Sequence, residues 1–82
     1  GDTEMWEKEL STRKQFLAQN IKSRRNERGL AQEALALEAG IDRTLVSKIE
    51  RLRANPTLEI LVKLSLALEI SISALLQSPK NK

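Results

Sequence analysis

Punctuation is scarce in this chain, and that constrains its fold more than any other feature. Its 82 residues include three Gly (Gly1, Gly29, Gly40) and two Pro (Pro56, Pro79). No segment sustains an apolar/polar alternation, and no hairpin dipeptide such as Asn-Gly occurs. Apolar residues recur instead at steps of three and four, the spacing of one helix face. An all-α fold follows, with breaks where Gly and Pro fall.

The helices can be placed from their caps and stops. Thr12, with Gln15 three residues on, fits a capping box; helix 1 is expected over about 12–28, with Leu17, Ile21 and the stem of Arg25 on one face. Gly29 is placed to stop it in a left-handed turn. A short second helix covers about 32–38, with Leu35 and Ala36 inward, and Gly40 supplies positive φ after it. Asp42 can cap a third helix, about 43–51, whose apolar positions are Leu45, Val46 and Ile49. Thr57 can cap a fourth, about 58–68, with Leu58, Leu61, Leu64 and Leu68 on one stripe, and a fifth spans about 72–77. Residues 1–11 read as an acidic arm, flexible or in part a cloning remnant; 12–77 read as the domain and 78–82 as a flexible tail. Trp6 lies in the arm with no role assigned.

Composition removes several chemistries. There is no Cys, hence no disulfide and no thiolate metal site, and no His, the commonest metal ligand and general base. No glycine-rich phosphate loop occurs, and the carboxylates are scattered along helices. An enzyme is therefore not expected, nor a metal or cofactor. The hydrophobic share of 40% suffices for a packed core. No apolar run approaches the roughly 18–20 residues that span a bilayer, and the polar, acidic start shows no signal peptide.

The net charge of +3 conceals an asymmetry. Residues 12–54 hold ten cations (Arg13, Lys14, Lys22, Arg24, Arg25, Arg28, Arg43, Lys48, Arg51, Arg53) against Glu27, Glu33, Glu38, Asp42 and Glu50. Residues 1–11 hold Asp2, Glu4, Glu7 and Glu9 against Lys8 alone. A basic middle segment suits a polyanion partner, and equally a solvated helix surface.

Residues 32–50 decide between these. Two short helices meet at a tight turn containing Gly40; Ala36, four residues earlier, is small where the helices would cross; Ile41 plugs the corner. Val46 and Ile49 face inward, and Arg43, Thr44, Ser47 and Lys48 lie outward. That is the layout of a helix-turn-helix, whose second helix enters the DNA major groove. Arg or Lys can read guanine O6 and N7; Thr can donate, accept, or touch a thymine methyl.

From about Leu17 to Leu76 the chain resembles the Cro-repressor-like (XRE-type) helix-turn-helix family. The matching pieces are Ile21…Arg25…Gly29-Leu30, Gln32…Leu35-Ala36…Gly40-Ile41, Val46-Ser47…Ile49-Glu50, and Arg53…Pro56…Leu58…Leu61…Leu64…Leu68. The resemblance implies a compact five-helix, lambda-repressor-like domain, bacterial or phage-encoded and cytoplasmic. It implies a sequence-specific regulator that binds double-stranded DNA as a homodimer on a palindromic operator. It carries over Gln32 as a phosphate contact, Arg43, Thr44 and Lys48 as base readers with Ser47 nearby, and Arg53 and Asn55 as a loop approaching the backbone. It pairs Arg25 with Glu50 in a structural salt bridge, where losing one partner costs roughly 3–5 kcal/mol. RNA polymerase is the further partner an activating member would touch, through a patch this sequence does not identify.

Four positions depart from the family pattern. Ala31 stands where a capping side chain is usual, weakening helix 2 by about 1 kcal/mol. Leu52 stands where Gly commonly ends the recognition helix; a Leu with positive φ costs roughly 1–2 kcal/mol, so helix 3 is expected to end differently or overrun. Ala54 replaces a frequently basic loop residue. Arg24 replaces an apolar one and is expected to add charge near the DNA face. Leu37 is expected to be exposed. Ile60, Leu66, Ile70, Ile72, Leu75 and Leu76 exceed what one helical face can bury, and are candidates for a dimer interface. The competing reading is a protein-interaction module on the same fold that no longer reads DNA; outward Arg43 and Lys48 speak against it.

Overall fold

The computed structural model describes residues 2–79, and among these the regular elements are five helices. They are α1 (Asp2–Glu27), α2 (Gln32–Ala39), α3 (Arg43–Glu50), α4 (Leu58–Leu68) and α5 (Ile72–Leu75). Residues 80–82 of the expected tail lie outside the described residues. No described helix is long and apolar enough to cross a membrane.

The first helix corrects the sequence reading. It begins at Asp2 rather than Thr12, so the expected arm is three turns of helix continuous with the domain. Residues 2–11 contain no Gly or Pro to stop a helix. Glu9 pairs with Arg13 at 2.7 Å across the supposed boundary. Twenty-six residues make a rod about 39 Å long. Its amino-terminal turns carry Met5 and Trp6, both more than half exposed.

The core gathers one stripe from each helix: Leu17 and Ile21, then Leu35, Ala36 and Ala39, then Val46 and Ile49, then Leu64 and Leu68, then Leu75. Leu58 does not join it. It opens α4 with its side chain 68% exposed, and Leu61, Leu64 and Leu68 carry the inward stripe. Leu75 is fully buried, so it serves the core and is no surface for a partner. Ile60, Ile70 and Leu76 also pack against the core, half-buried.

Helix ends follow backbone hydrogen-bond needs. Ala31 gives α2 no side-chain cap, as its methyl dictates. Thr57 accepts from the Ile60 N–H at 3.2 Å and Ser71 from Ala74 at 3.0 Å. Polar side chains of α1, and Arg28 just past its end, satisfy the carboxyl ends of the last two helices. Asn20 donates its amide hydrogens to Leu75 O and Gln77 O, each at 2.8 Å. Arg13 donates to Leu76 O at 2.9 Å, Arg24 to Leu68 O at 2.9 Å, and Arg28 to Ala67 O. Arg24 thus caps the carboxyl end of α4.

Leu52 overturns another expectation. Helix α3 does not overrun; it closes with Leu52 itself in the left-handed region at φ 62°. Arg53 N–H reaches Lys48 O at 2.7 Å and Leu52 N–H reaches Ile49 O at 3.0 Å, the pairing of a Schellman motif. These bonds satisfy carbonyls that any other ending would leave open, and they outweigh the steric cost at Leu52. Glu69 does the same after α4, at φ 56°.

The tie between α1 and α3 is ionic. Arg25 Nε and Nη2 donate to Glu50 Oε2 and Oε1 at 2.8 and 3.0 Å, and Nη1 donates to Leu30 O at 2.8 Å. The two side chains are only 10% and 6% exposed.

Two stability predictions follow. Glu69→Gly and Leu52→Gly should each raise the unfolding free energy in urea by about 0.5–1 kcal/mol, the left-handed strain of about 1–2 kcal/mol less the chain entropy of Gly. Ala at either site should give no gain, since it keeps a Cβ. Arg25→Met should lower stability by roughly 3–5 kcal/mol by stranding Glu50, and Arg25→Met with Glu50→Met together should recover most of that loss.

Candidate nucleic-acid interface

The surface built by α2 and α3 begins at the turn between them. Gly40 sits at φ 71°, in the left-handed region. Ile41 N–H reaches back to Ala36 O at 3.0 Å, and the Ile41 side chain packs half-buried on the core. Ala36 is 1% exposed, as a close helix crossing requires. The chain then re-enters a helix at Asp42, whose Oδ1 accepts from Thr44 N–H at 2.8 Å and from Thr44 Oγ1 at 2.7 Å. Those two bonds, backbone first, hold the Asp42 carboxyl below the ordinary carboxylate range.

With Val46 and Ile49 locked inward, the opposite face of α3 is fixed by helical geometry. Arg43, Thr44 and Lys48 are exposed there, and Ser47 is half-buried beside them. These positions, i, i+1, i+4 and i+5, form two adjacent rows on one face. Arg51 is exposed at the helix end, and Arg53 and Asn55 are exposed in the loop behind the Leu52 turn. Six of the seven residues expected to meet DNA therefore lie on α3 or the loop that follows it.

The seventh, Gln32, opens α2 and is half-buried. Its Nε2 donates to Glu50 Oε1 at 3.0 Å, adding a third member to the Arg25–Glu50 pair. An amide nitrogen has two hydrogens, so one remains for another acceptor. The Glu50 hydrogen bonds, the leading effect, raise the Arg25 guanidinium pKa above its ordinary value.

Two features escaped the sequence reading. Arg43 Nη1 meets Glu33 Oε2 at 3.4 Å, with both side chains about three-quarters exposed. Such a pair is weak and readily exchanged. Glu33 gave no signal, because an acidic residue in the first turn of a helix is ordinary dipole placement. The other is a row on α4 at steps of four: Leu58, Val62 and Leu66, exposed by 68%, 40% and 73%. Of the six candidate interface residues only Leu66 belongs to it; Ile72 is half-buried. Leu37 is 83% exposed on α2, where exposure was expected.

Comparison with known proteins gives concordant results. A family model described as helix-turn-helix matches residues 21–75. The chain is 42% identical over 71 residues to the control protein C.SmaI of Serratia marcescens, spanning 84% of each chain. It is 39% identical over 62 residues to the HTH-type transcriptional regulator SinR of Bacillus subtilis, spanning 74% of this chain and 56% of that protein. Its fold matches a crystal structure of the hypothetical transcription factor NHTF from Neisseria with a TM-score of 0.79 and 39% identity, covering 82% of this chain and 77% of the other. It matches the crystal structure of SinR, the master regulator for biofilm formation, in complex with DNA with a TM-score of 0.70 and 39% identity, covering 74% and 98%.

Proposed function

We infer the function from the premise that this chain belongs to the Cro-repressor-like (XRE-type) helix-turn-helix family: it is a sequence-specific DNA-binding transcriptional regulator. The family is regulatory and not enzymatic. One observation carries the mechanism. Arg43, Thr44 and Lys48 stand exposed on a helix whose other face, Val46 and Ile49, is buried almost completely. Helix α3 enters the major groove, its charged and hydroxyl groups reach base edges, and the core behind it holds the approach angle.

Arg43 leaves Glu33 to do this, since an exposed pair holds it only weakly. Its planar, donor-only fork suits guanine O6 and N7. Lys48 supplies a second donor, and Ser47 lies within the same rows. The free amide hydrogen of Gln32 and the exposed Arg53 and Asn55 take phosphate oxygens on either side, contacts that position the domain without reading sequence. Occupying a promoter blocks initiation with no contact beyond the duplex.

The chain acts as a two-fold homodimer through the row Leu58, Val62 and Leu66. An apolar row on a domain this small marks a contact surface. A two-fold axis there sets two copies of α3 about 34 Å apart, in successive major grooves of a palindromic site.

Two experiments check this. Selection from random duplexes should recover a two-fold site, with affinity falling steeply as salt rises. Arg43→Ala should relax one position per half-site by about 1–3 kcal/mol; an unchanged selected motif would remove Arg43 from the reading set. Leu66→Glu should shift sedimentation equilibrium to monomer and weaken operator binding, with little change in monomer unfolding because the side chain is 73% exposed.

A further inference from the structure

Thr44 offers more than an exposed hydroxyl on the outward face of α3. A hydroxyl has one hydrogen and two lone pairs. Here the hydrogen is committed, because Thr44 Oγ1 donates to Asp42 Oδ1 at 2.7 Å. The same carboxylate oxygen holds the Thr44 N–H at 2.8 Å, so one acceptor fixes both the backbone and the side chain of this residue. An ionised carboxylate only accepts, and cannot return a hydrogen to Thr44. What Thr44 has left for an approaching group is its lone pairs.

Base edges in the major groove are not symmetrical toward such a group. Adenine N6 and cytosine N4 donate; guanine O6 and N7, adenine N7 and thymine O4 accept. The neighbours of Thr44 on this face, Arg43 and Lys48, are donors only. We propose that Thr44 is a specificity-determining residue that works solely as an acceptor. Held in that polarity by Asp42, it selects an adenine or cytosine amine at the base it faces and discriminates against guanine and thymine.

The consequence is a face of mixed polarity: Arg43 and Lys48 donate, Thr44 accepts, and the half-buried Ser47 hydroxyl beside them can do either. Asp42 is a positioning residue in this scheme, acting through Thr44 without touching the base. The proposal rests on α3 being the helix that lies in the groove.

Duplex selection with the full chain tests it, after thermal melts show each variant folded. The position read by Thr44 is the one whose preference changes in Thr44→Val but not in Lys48→Ala. In the unaltered chain that position should favour adenine or cytosine by roughly tenfold. Thr44→Ser, which keeps the hydroxyl, should keep the preference. Asp42→Gly leaves a tolerated helix cap and frees the hydroxyl hydrogen, so the preference should fall toward parity while affinity for all sequences rises with the loss of a carboxylate. Guanine or thymine at that position, a preference untouched by Asp42→Gly, or a motif indifferent to Thr44→Val would each overturn the proposal and leave the DNA-reading function standing. A chain that enriches no duplex would remove that function and the proposal together.

Discussion

The buried pair between Arg25 and Glu50 sets where the outward face of α3 points. Desolvating two charges is costly, and a pair so enclosed is sustained only when its geometry is good and its remaining hydrogen-bonding groups are satisfied. Both Glu50 oxygens accept from Arg25, Gln32 adds a third donor, and the remaining Arg25 amine holds Leu30 O. Among the described residues no buried side-chain nitrogen or oxygen lacks a partner. One guanidinium thereby joins the end of α1, the loop before α2 and the last turn of α3. Apolar contact through Val46 and Ile49 settles which face of α3 turns inward but is itself non-directional. The forked ion pair supplies the directionality that contact lacks.

The same economy of polar groups explains why a charge count overstates the surface available to a polyanion. Arg13, Arg24, Arg25 and Arg28 all belong to the basic middle of the chain, yet each donates to a main-chain carbonyl or a carboxylate within the fold. Three of them, with Asn20, close the carboxyl ends of α4 and α5. The row that forms the carboxyl-terminal packing of the domain is thus polar on α1 and backbone on its partner helices. The cations left on the proposed reading surface are the later ones: Arg43, Lys48, Arg51 and Arg53, all exposed.

What was legible in the sequence was whatever is fixed by spacing. Leu17, Ile21 and Arg25 at steps of four, Gly29 and Gly40 at positive φ and Asp42 as a cap stand where residue type and register placed them, and Arg25 pairs with Glu50 as the family resemblance implied. The start of α1 was not legible, because Thr12–Gln15 looks like a capping box and nothing local says that a helix already runs through it. Leu52 misled for a deeper reason. Local propensity argues against a left-handed Leu, but the carbonyls of Lys48 and Ile49 need partners, and that need is decided by the whole turn. Leu58 was expected inward and is exposed because a stripe of period 3.6 does not say which of its ends reaches past the core; Leu75, expected at a partner surface, is buried because α5 packs on α1 and α4. The Glu33–Arg43 contact spans two helices and has no signature along the chain.

Carboxylates at the reading surface look at first like a defect in a DNA binder. Asp42 and Glu33 are both exposed beside Arg43, and each repels phosphate. Yet phosphate attraction supplies nearly all of non-specific binding, and a regulator is judged by the ratio of specific to non-specific affinity. A negative group that weakens every site equally leaves that ratio intact. One that also orients a base-reading side chain raises it. In the proposed reading Asp42 orients Thr44, and Glu33 holds Arg43 so weakly, through one exposed contact at 3.4 Å, that a base edge presenting two acceptors to its planar fork can take its place. In that reading the acidic residues make the outward face of α3 reluctant toward DNA in general, and they add to selectivity only where, as Asp42 does for Thr44, they also orient a side chain proposed to read a base.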